Sequence, residues 1–316
     1  MITDINNIPV DQALKENGFV IVDNLIPKDM FERLKEACDR VVERARKGDW
    51  KRLVGTQFPP WTEGTDVWGV QHLIHPDLQE PVFAEWYGCT RLLETVQQLT
   101  NAKHNELQLG NNLTLQALHF YPKLSSMNTY MRFYLELFNL LINPQDSDFD
   151  LTWHRDAIKA EASEQEEAEK LSIPHYGTQW NTALYEDACL YVVPNSHRRV
   201  RTESERNITL HDPKSNKMPG QLKVVLRPGQ TVFYDNNILH RASYVCSQKR
   251  ATLHASMGTI EGGHYRASCI LQHGLGWMKT DAFKDTLPAS LLQPLANLLK
   301  MAEEAGLPDL EAKPIH

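Results

Sequence analysis

The chain reads as mainly β, a sandwich or barrel of short strands with flanking helices, and three features predict this. Short apolar runs at 179–186, 190–193, 222–226, 231–234, 238–244 and 251–256 crowd its second half. Turn signals separate them at Pro228-Gly229, Asn236-Asn237 and Ser247-Gln248, and strands recurring at such intervals stack as two sheets or close on themselves. Most of the helical periodicity lies in the first third and at the C-terminal end.

In chain order, residues 8–16 read as a short helix and Phe19-Val20-Ile21-Val22 as a strand. Pro27 opens a helix over 28–47, where Met30, Leu34, Ala37 and Val41 form one apolar stripe with charges opposite. Residues 49–76 are rich in Trp, Pro and Gly, which predicts irregular loops whose aromatics pack on the core. A helical pattern resumes over 80–100. The apolar run 130–142 has no usable period and stays open between a buried helix and a buried strand, until Asn143-Pro144 ends it. Residues 157–170 read as a solvated helix carrying Glu161, Glu164, Glu166, Glu167 and Glu169. An insertion over 157–178 would lie where it could cover a pocket as a lid. Residues 200–220 read as a loop with turn chemistry. A last helix over 294–305 is stopped by Gly306 and Pro308. No repeat, low-complexity segment or linker interrupts the chain, so 1–316 reads as a single domain.

Composition excludes several classes. The net charge of −7 comes without a dense Lys/Arg cluster and offers no footprint for nucleic acid. The cysteines Cys38, Cys89, Cys189, Cys246 and Cys269 are odd in number and lack metal-finger spacing, as expected of reduced thiols in a cytoplasmic protein. No basic region followed by an apolar core marks a signal peptide, and no apolar run reaches membrane-spanning length.

The chemistry concentrates at Trp153-His154-Arg155-Asp156. His154 and Asp156 are two apart, so on a strand they leave the same face. An imidazole and a carboxylate aimed at one point supply two metal ligands and need a third. With thirteen histidines in the chain, accidental partners are easy to find. The best donor is His240, at the end of the Gly-initiated run 229–240. Two His and one carboxylate on one face of a metal form the facial triad of non-haem Fe(II) oxygenases. Arg250 follows ten residues later and, returning on the neighbouring strand of a hairpin, would offer a bidentate fork to an organic carboxylate. That set points to an iron enzyme using 2-oxoglutarate. Trp153 faces the other way, where packing is its role.

Four passages resemble the phytanoyl-CoA hydroxylase-like (PhyH) family of Fe(II)/2-oxoglutarate-dependent dioxygenases. Glu16-Asn-Gly-Phe-Val-Ile-Val-Asp-Asn-Leu-Ile-Pro27 resembles the family's first strand and the start of its helix. Trp153-His-Arg-Asp156 matches its His-x-Asp, and Ala188-Cys-Leu-Tyr-Val-Val-Pro-Asn-Ser-His197 its Leu-x-Val-x-Pro-Gly-Ser-His run. The stretch 229–240 with Arg250 matches its distal His and cofactor arginine. The likeness runs over residues 14–275. Asn195 stands where the family has Gly, and Asn tolerates the left-handed backbone such a turn needs.

The resemblance implies a double-stranded β-helix (jelly roll, cupin-like), with a strand at 135–143 that aims Asn139 inward. It implies Fe(II), 2-oxoglutarate and O2 as cofactor and cosubstrates, with His154, Asp156 and His240 on the iron and Arg250 on the cosubstrate. Thr252, on the same strand face as Arg250, would donate a second hydrogen bond, and Asn181 would face the pocket. His254 shares that strand face and Arg266 lies near the entrance, both as substrate contacts. His197 would be structural. The activity implied is oxidative decarboxylation of 2-oxoglutarate coupled to oxidation of an unactivated C–H bond, by hydroxylation, desaturation or cyclisation. Halogenation is disfavoured because Asp156 fills the position a halide needs. The substrate implied is a small molecule, an amino-acid-derived or secondary metabolite. An acyl-CoA thioester is an alternative that the lack of a basic cluster disfavours, and a non-catalytic jelly-roll binding protein is another. A cupin-type metal hydrolase or isomerase would turn over without O2 or cosubstrate.

Overall fold

The computed structural model describes residues 2–50, 53–54, 66–101, 106–110, 138–156, 158–174, 176–262 and 276–304. In chain order its strands are β1 (Phe19–Val22), β2 (Leu53–Val54), β3 (Gly69–Val70), β4 (Leu107–Gly110), β5 (Phe138–Ile142) and β6 (Phe149–Asp150). There follow β7 (Gly177–Ala183), β8 (Leu190–Val193), β9 (Leu222–Lys223), β10 (Thr231–Tyr234), β11 (Leu239–Tyr244) and β12 (Ala251–Thr259). An 8-stranded sheet runs β1-β10-β7-β12-β5-β3-β2, with β4 pairing the far end of β12, and a 4-stranded sheet runs β6-β11-β8-β9. These antiparallel sheets with flanking helices are the jelly-roll, cupin-like architecture expected.

The strand period of two explains how the larger sheet serves two cores. Trp180, Phe233, Leu253 and Ala255 face the helices, where they join Trp86, Tyr87 and Phe138. Their neighbours Ala183, Val232 and Tyr234 face the other way and pack with Leu190, Val192 and Ile238 of the smaller sheet and its loops. Strand β7 is buried along its whole length because both of its faces are covered.

The helix Lys28–Arg46 buries the predicted stripe of Met30, Leu34, Ala37 and Val41. The pattern over 80–100 resolves into two helices, Pro81–Tyr87 and Thr90–Thr100. They part at Gly88, where a Cβ would lie within 3 Å of Ser290, Leu291 and Pro288 at the start of the last helix. That helix spans Ala289–Glu304, so Pro294 lies inside it and not in its first turn. The buried proline ring compensates in packing for the hydrogen bond it removes.

Four expectations need correction or qualification. Residues 200–220 hold a helix, Glu203–His211, whose capping box pairs Thr202 with Glu205. The glutamates after Asp156 do not all face solvent: the helix there is Glu164–Leu171, and Glu167 is fully buried. The expected hairpin between His240 and Arg250 is absent from the pairings, because β11 belongs to the smaller sheet and β12 to the larger. The strand of 135–143 is observed as Phe138–Ile142, residues 135–137 lying outside the described residues. Cys38, Cys89, Cys189 and Cys246 are free. Among the described residues no helix is long and apolar enough to cross a membrane.

The turn at 194–198 keeps its shape with Asn195 left-handed at φ 64°. His197 then reaches the Lys15 carbonyl through Nε2 at 3.2 Å, a structural role. Its ring lies against Gly18, itself left-handed at φ 80°, where a Cβ would fall 2.5 Å from His197 Nδ1. Gly18→Ala combines a backbone cost of about 1–2 kcal/mol with a displaced ring. Urea unfolding is expected to show a stability loss of at least about 2 kcal/mol.

Candidate functional site

His154, Asp156 and His240 converge at one end of the space between the sheets, with a ligand atom of each within 4.8 Å of the others. Nε2 of His154 and Nε2 of His240 each stand 3.5 Å from Asp156 Oδ1, and the two rings are 4.3 Å apart. The backbone explains the convergence. Strand β6 pairs β11 in one register at Asp150↔Ser243, yet His154 pairs His240. Three residues advance on one strand for two on the other after Leu151, whose N–H binds the Ala242 carbonyl. This bulge redirects the chain so that His154 faces inward. Trp153 falls on the outer side, buried with Val193, Met218 and Leu239, its indole N–H donating to the Ser215 carbonyl.

Hydrogen bonds set the ring chemistry. His154 Nδ1 lies 2.7 Å from the Thr152 carbonyl and His240 Nδ1 lies 2.9 Å from the Ile238 carbonyl. A carbonyl only accepts, so each Nδ1 carries a proton, and in the neutral ring each Nε2 is left with a lone pair on the Asp156 side. Three electron-pair donors meeting at one point fit a cation. Burial opposes a charge on Asp156, but the His240 imidazole beside it, with hydrogen bonds from His154 and Gln179, holds its carboxyl far below the usual range. Burial and the neighbouring His154 push His240 down to about 4. Burial also opposes charge on His154, and the Asp156 hydrogen bond outweighs it, raising that imidazole. Gln179 donates from Nε2 to Asp156 Oδ2 at 2.7 Å, orienting the carboxylate. Sequence reading missed Gln179, although it lies two residues before Asn181 and therefore on the same strand face.

From Gln179 the inner face of the larger sheet runs in three rungs. Gln179 pairs Ser256, Asn181 pairs His254, and Ala183 pairs Thr252, while Asn139 on β5 completes the middle rung. At about 3.3–3.4 Å per residue the outer rungs are roughly 13 Å apart. The middle rung is polar throughout. His254 Nδ1 meets Asn181 Oδ1 at 2.8 Å, and Asn139 Oδ1 accepts from the His72 N–H at 3.3 Å. Burial lowers His254 to about 4, so its imidazole is neutral at ordinary pH. Two residues beyond the far rung Arg250 is buried, its Nε donating to Asp187 Oδ2 at 2.9 Å and its guanidinium 4.7 Å from the Tyr244 ring centroid. Thr252 Oγ1 donates to the same Asp187 oxygen. Asp187, unforeseen from sequence, thus neutralises Arg250 and fixes its direction. Arg250 Nη1 is buried with no hydrogen-bond partner among the described residues, which leaves that nitrogen able to donate to a ligand. Of the predicted site residues, His154, Asp156 and His240 at the metal side, and Asn139, Asn181, His254, Thr252 and Arg250 beyond them, line this one tract. Arg266 lies outside the described residues.

This donor set on a jelly roll defines the class, a facial-triad oxygenase scaffold. The family model for phytanoyl-CoA dioxygenase (PhyH) matches residues 14–252. The chain belongs to that family and is an Fe(II)- and 2-oxoglutarate-dependent dioxygenase. No curated protein matches the sequence. Among solved structures, AviO1 from Streptomyces viridochromogenes aligns over 79% of this chain and 93% of its own at 14% identity, with a TM-score of 0.52. EctD from S. alaskensis with 2-oxoglutarate and 5-hydroxyectoine aligns over 83% of each chain at 16% identity, with a TM-score of 0.51. EctD with bound Fe aligns over 80% of this chain and 76% of its own at 16% identity, TM-score 0.52. At these identities the likeness establishes the fold, and the site must be argued from its own residues.

Proposed function

We propose that His154 and His240, through Nε2, and Asp156, through a carboxylate oxygen, hold the Fe(II). The observation that carries this is the meeting of those three donors with both imidazole protons already committed to carbonyls. Bound iron with 2-oxoglutarate supplies the O2-dependent chemistry that attacks an unreactive C–H bond. Gln179 holds the second Asp156 oxygen, so one oxygen stays directed at the metal. Arg250 takes the distal carboxylate of 2-oxoglutarate with its unpartnered Nη1, and Asp187 keeps the guanidinium aimed there. Thr252 supports that end by holding Asp187 in place, its hydroxyl already spent. Asn181, His254 and Asn139, one rung nearer the metal, line the path of the cosubstrate chain. The apolar walls of Val232, Ala183 and Ile238 keep water from it.

The substrate we propose is a small molecule of the secondary-metabolite or amino-acid-derived kind, oxidised by hydroxylation, desaturation or cyclisation. The inner rungs offer neutral hydrogen-bonding groups with Arg250 balanced by Asp187, which suits a polar, uncharged substrate region better than a phosphorylated one. EctD, on the same fold, was solved with a hydroxylated small molecule. An anaerobic titration with Fe(II) and 2-oxoglutarate is expected to give a weak visible charge-transfer band, followed by substrate-dependent consumption of 2-oxoglutarate in air. A band unaffected by His154→Ala would overturn the ligand assignment. Gln179→Leu is expected to weaken Fe(II) binding by about 10–100-fold without unfolding the protein, measured by the same titration.

A further inference from the structure

We propose that Glu167 is a positioning residue for His154 and Asp156, acting through Arg155, so that its helix belongs to the metal-binding apparatus. This rests on the reading of His154, Asp156 and His240 as iron ligands. Arg155 stands between two of those ligands in sequence, and its side chain leaves the opposite face. The guanidinium is buried at 1% exposure against a Glu167 at 0%. Its Nε donates to Glu167 Oε1 at 3.1 Å, its Nη1 to the Ser196 carbonyl at 2.7 Å and to the Asn237 carbonyl, and its Nη2 to the Arg199 carbonyl at 2.9 Å. Asn237 and Leu239 belong to the segment that delivers His240, and Leu239 N–H donates to Ser196 Oγ at 2.8 Å. One guanidinium therefore ties the backbone of His154–Asp156 to the backbone before His240.

What fixes that guanidinium is Glu167. The same carboxylate receives Arg201 Nε at 3.0 and 3.2 Å and Arg206 Nη2 at 2.7 Å. Three guanidiniums around one buried carboxylate leave a surplus of positive charge. Removing the anion sets Arg155, Arg201 and Arg206 against one another in a medium that screens poorly. The free carbonyl bonds of Arg155 cannot compensate, and the chain between the two ligands loses its outer anchor. The helix Glu164–Leu171 presents Glu167 inward through a capping box at Ser163 and Glu166, so a segment rich in acidic residues holds one of them for this purpose.

The test is Co(II) titration of the full chain, read by its visible absorption, beside thermal unfolding. Glu167→Gln is expected to raise the Co(II) Kd at least about tenfold. Arg206→Gln, whose guanidinium hydrogen-bonds to Glu167 and the Ala162 carbonyl among the described residues, is expected to raise it a few-fold. Glu205→Gln breaks the nearby Arg199–Glu205 pair but leaves Glu167 and its three guanidiniums in place, and should leave the Kd within about twofold at a comparable loss of Tm. An unchanged Kd in Glu167→Gln, or an equal weakening in Glu205→Gln at equal destabilisation, reduces Glu167 to an ordinary stabilising residue. Should Glu167→Gln fail to fold, an unchanged Kd in Arg206→Gln overturns the proposal. A His154→Ala control that binds Co(II) as tightly as the native protein brings down the ligand reading itself, which separates the two failures.

Discussion

His240→Ala is expected to abolish the charge-transfer band with Fe(II) and 2-oxoglutarate and to lower turnover by more than about a hundredfold, beyond the 10–100-fold typical of losing a ligand's supporting partner. His240 is the one proposed ligand contributed by the smaller sheet's β11, so no neighbour in the 154–156 segment replaces it. Its Nε2 stands 3.5 Å from the carboxylate oxygen that shares the metal. Far-UV circular dichroism should stay native, because the strand pairing of β11 with β8 and β6 runs through backbone groups. Metal titration and 2-oxoglutarate consumption on the same preparation check the claim. A variant that binds iron as the native protein does would place the third ligand elsewhere.

Arg250→Gln is expected to raise the KM for 2-oxoglutarate on the order of a hundredfold, since hydrogen bonds to charged groups contribute about 1.5–3 kcal/mol. It should also destabilise the fold by about 3–5 kcal/mol, because Asp187 is left buried and charged without its partner. The double variant Asp187→Asn/Arg250→Gln separates these effects. Its stability should recover most of the loss, while its KM stays high. Urea unfolding and steady-state kinetics over a 2-oxoglutarate series measure both quantities. If stability and KM recover together, Arg250 acts through the fold and not through the cosubstrate.

Asp187 shows where sequence reasoning ended. The meeting of His154, Asp156 and His240 was legible because a two-residue spacing, a turn and a strand are local signals. Asn195 was legible as a left-handed residue because its chemistry permits φ 64°. Asp187 carries no such mark, since its meeting with Arg250 and Thr252 depends on how two sheets face each other. The same cause hid Glu167. Its sequence neighbourhood, with four other glutamates, has the composition of a solvated helix, and only the tertiary position of Arg155, Arg201 and Arg206 draws it inward. The hairpin expected between His240 and Arg250 failed for a related reason: turn chemistry at Ser247-Gln248 shows a reversal but not which sheet receives the next strand. The helix Glu203–His211 does carry a local mark, for Thr202-Glu203-Ser204-Glu205 is a capping box.

The most direct test of the account is anomalous diffraction at the iron edge from crystals grown anaerobically with Fe(II) and 2-oxoglutarate. One anomalous peak is expected in bonding contact with His154 Nε2, Asp156 and His240 Nε2 together, with a dicarboxylate running from it past Asn181 and His254 to the Arg250 guanidinium. A peak bound elsewhere, or a dicarboxylate whose far end avoids Arg250, would contradict it.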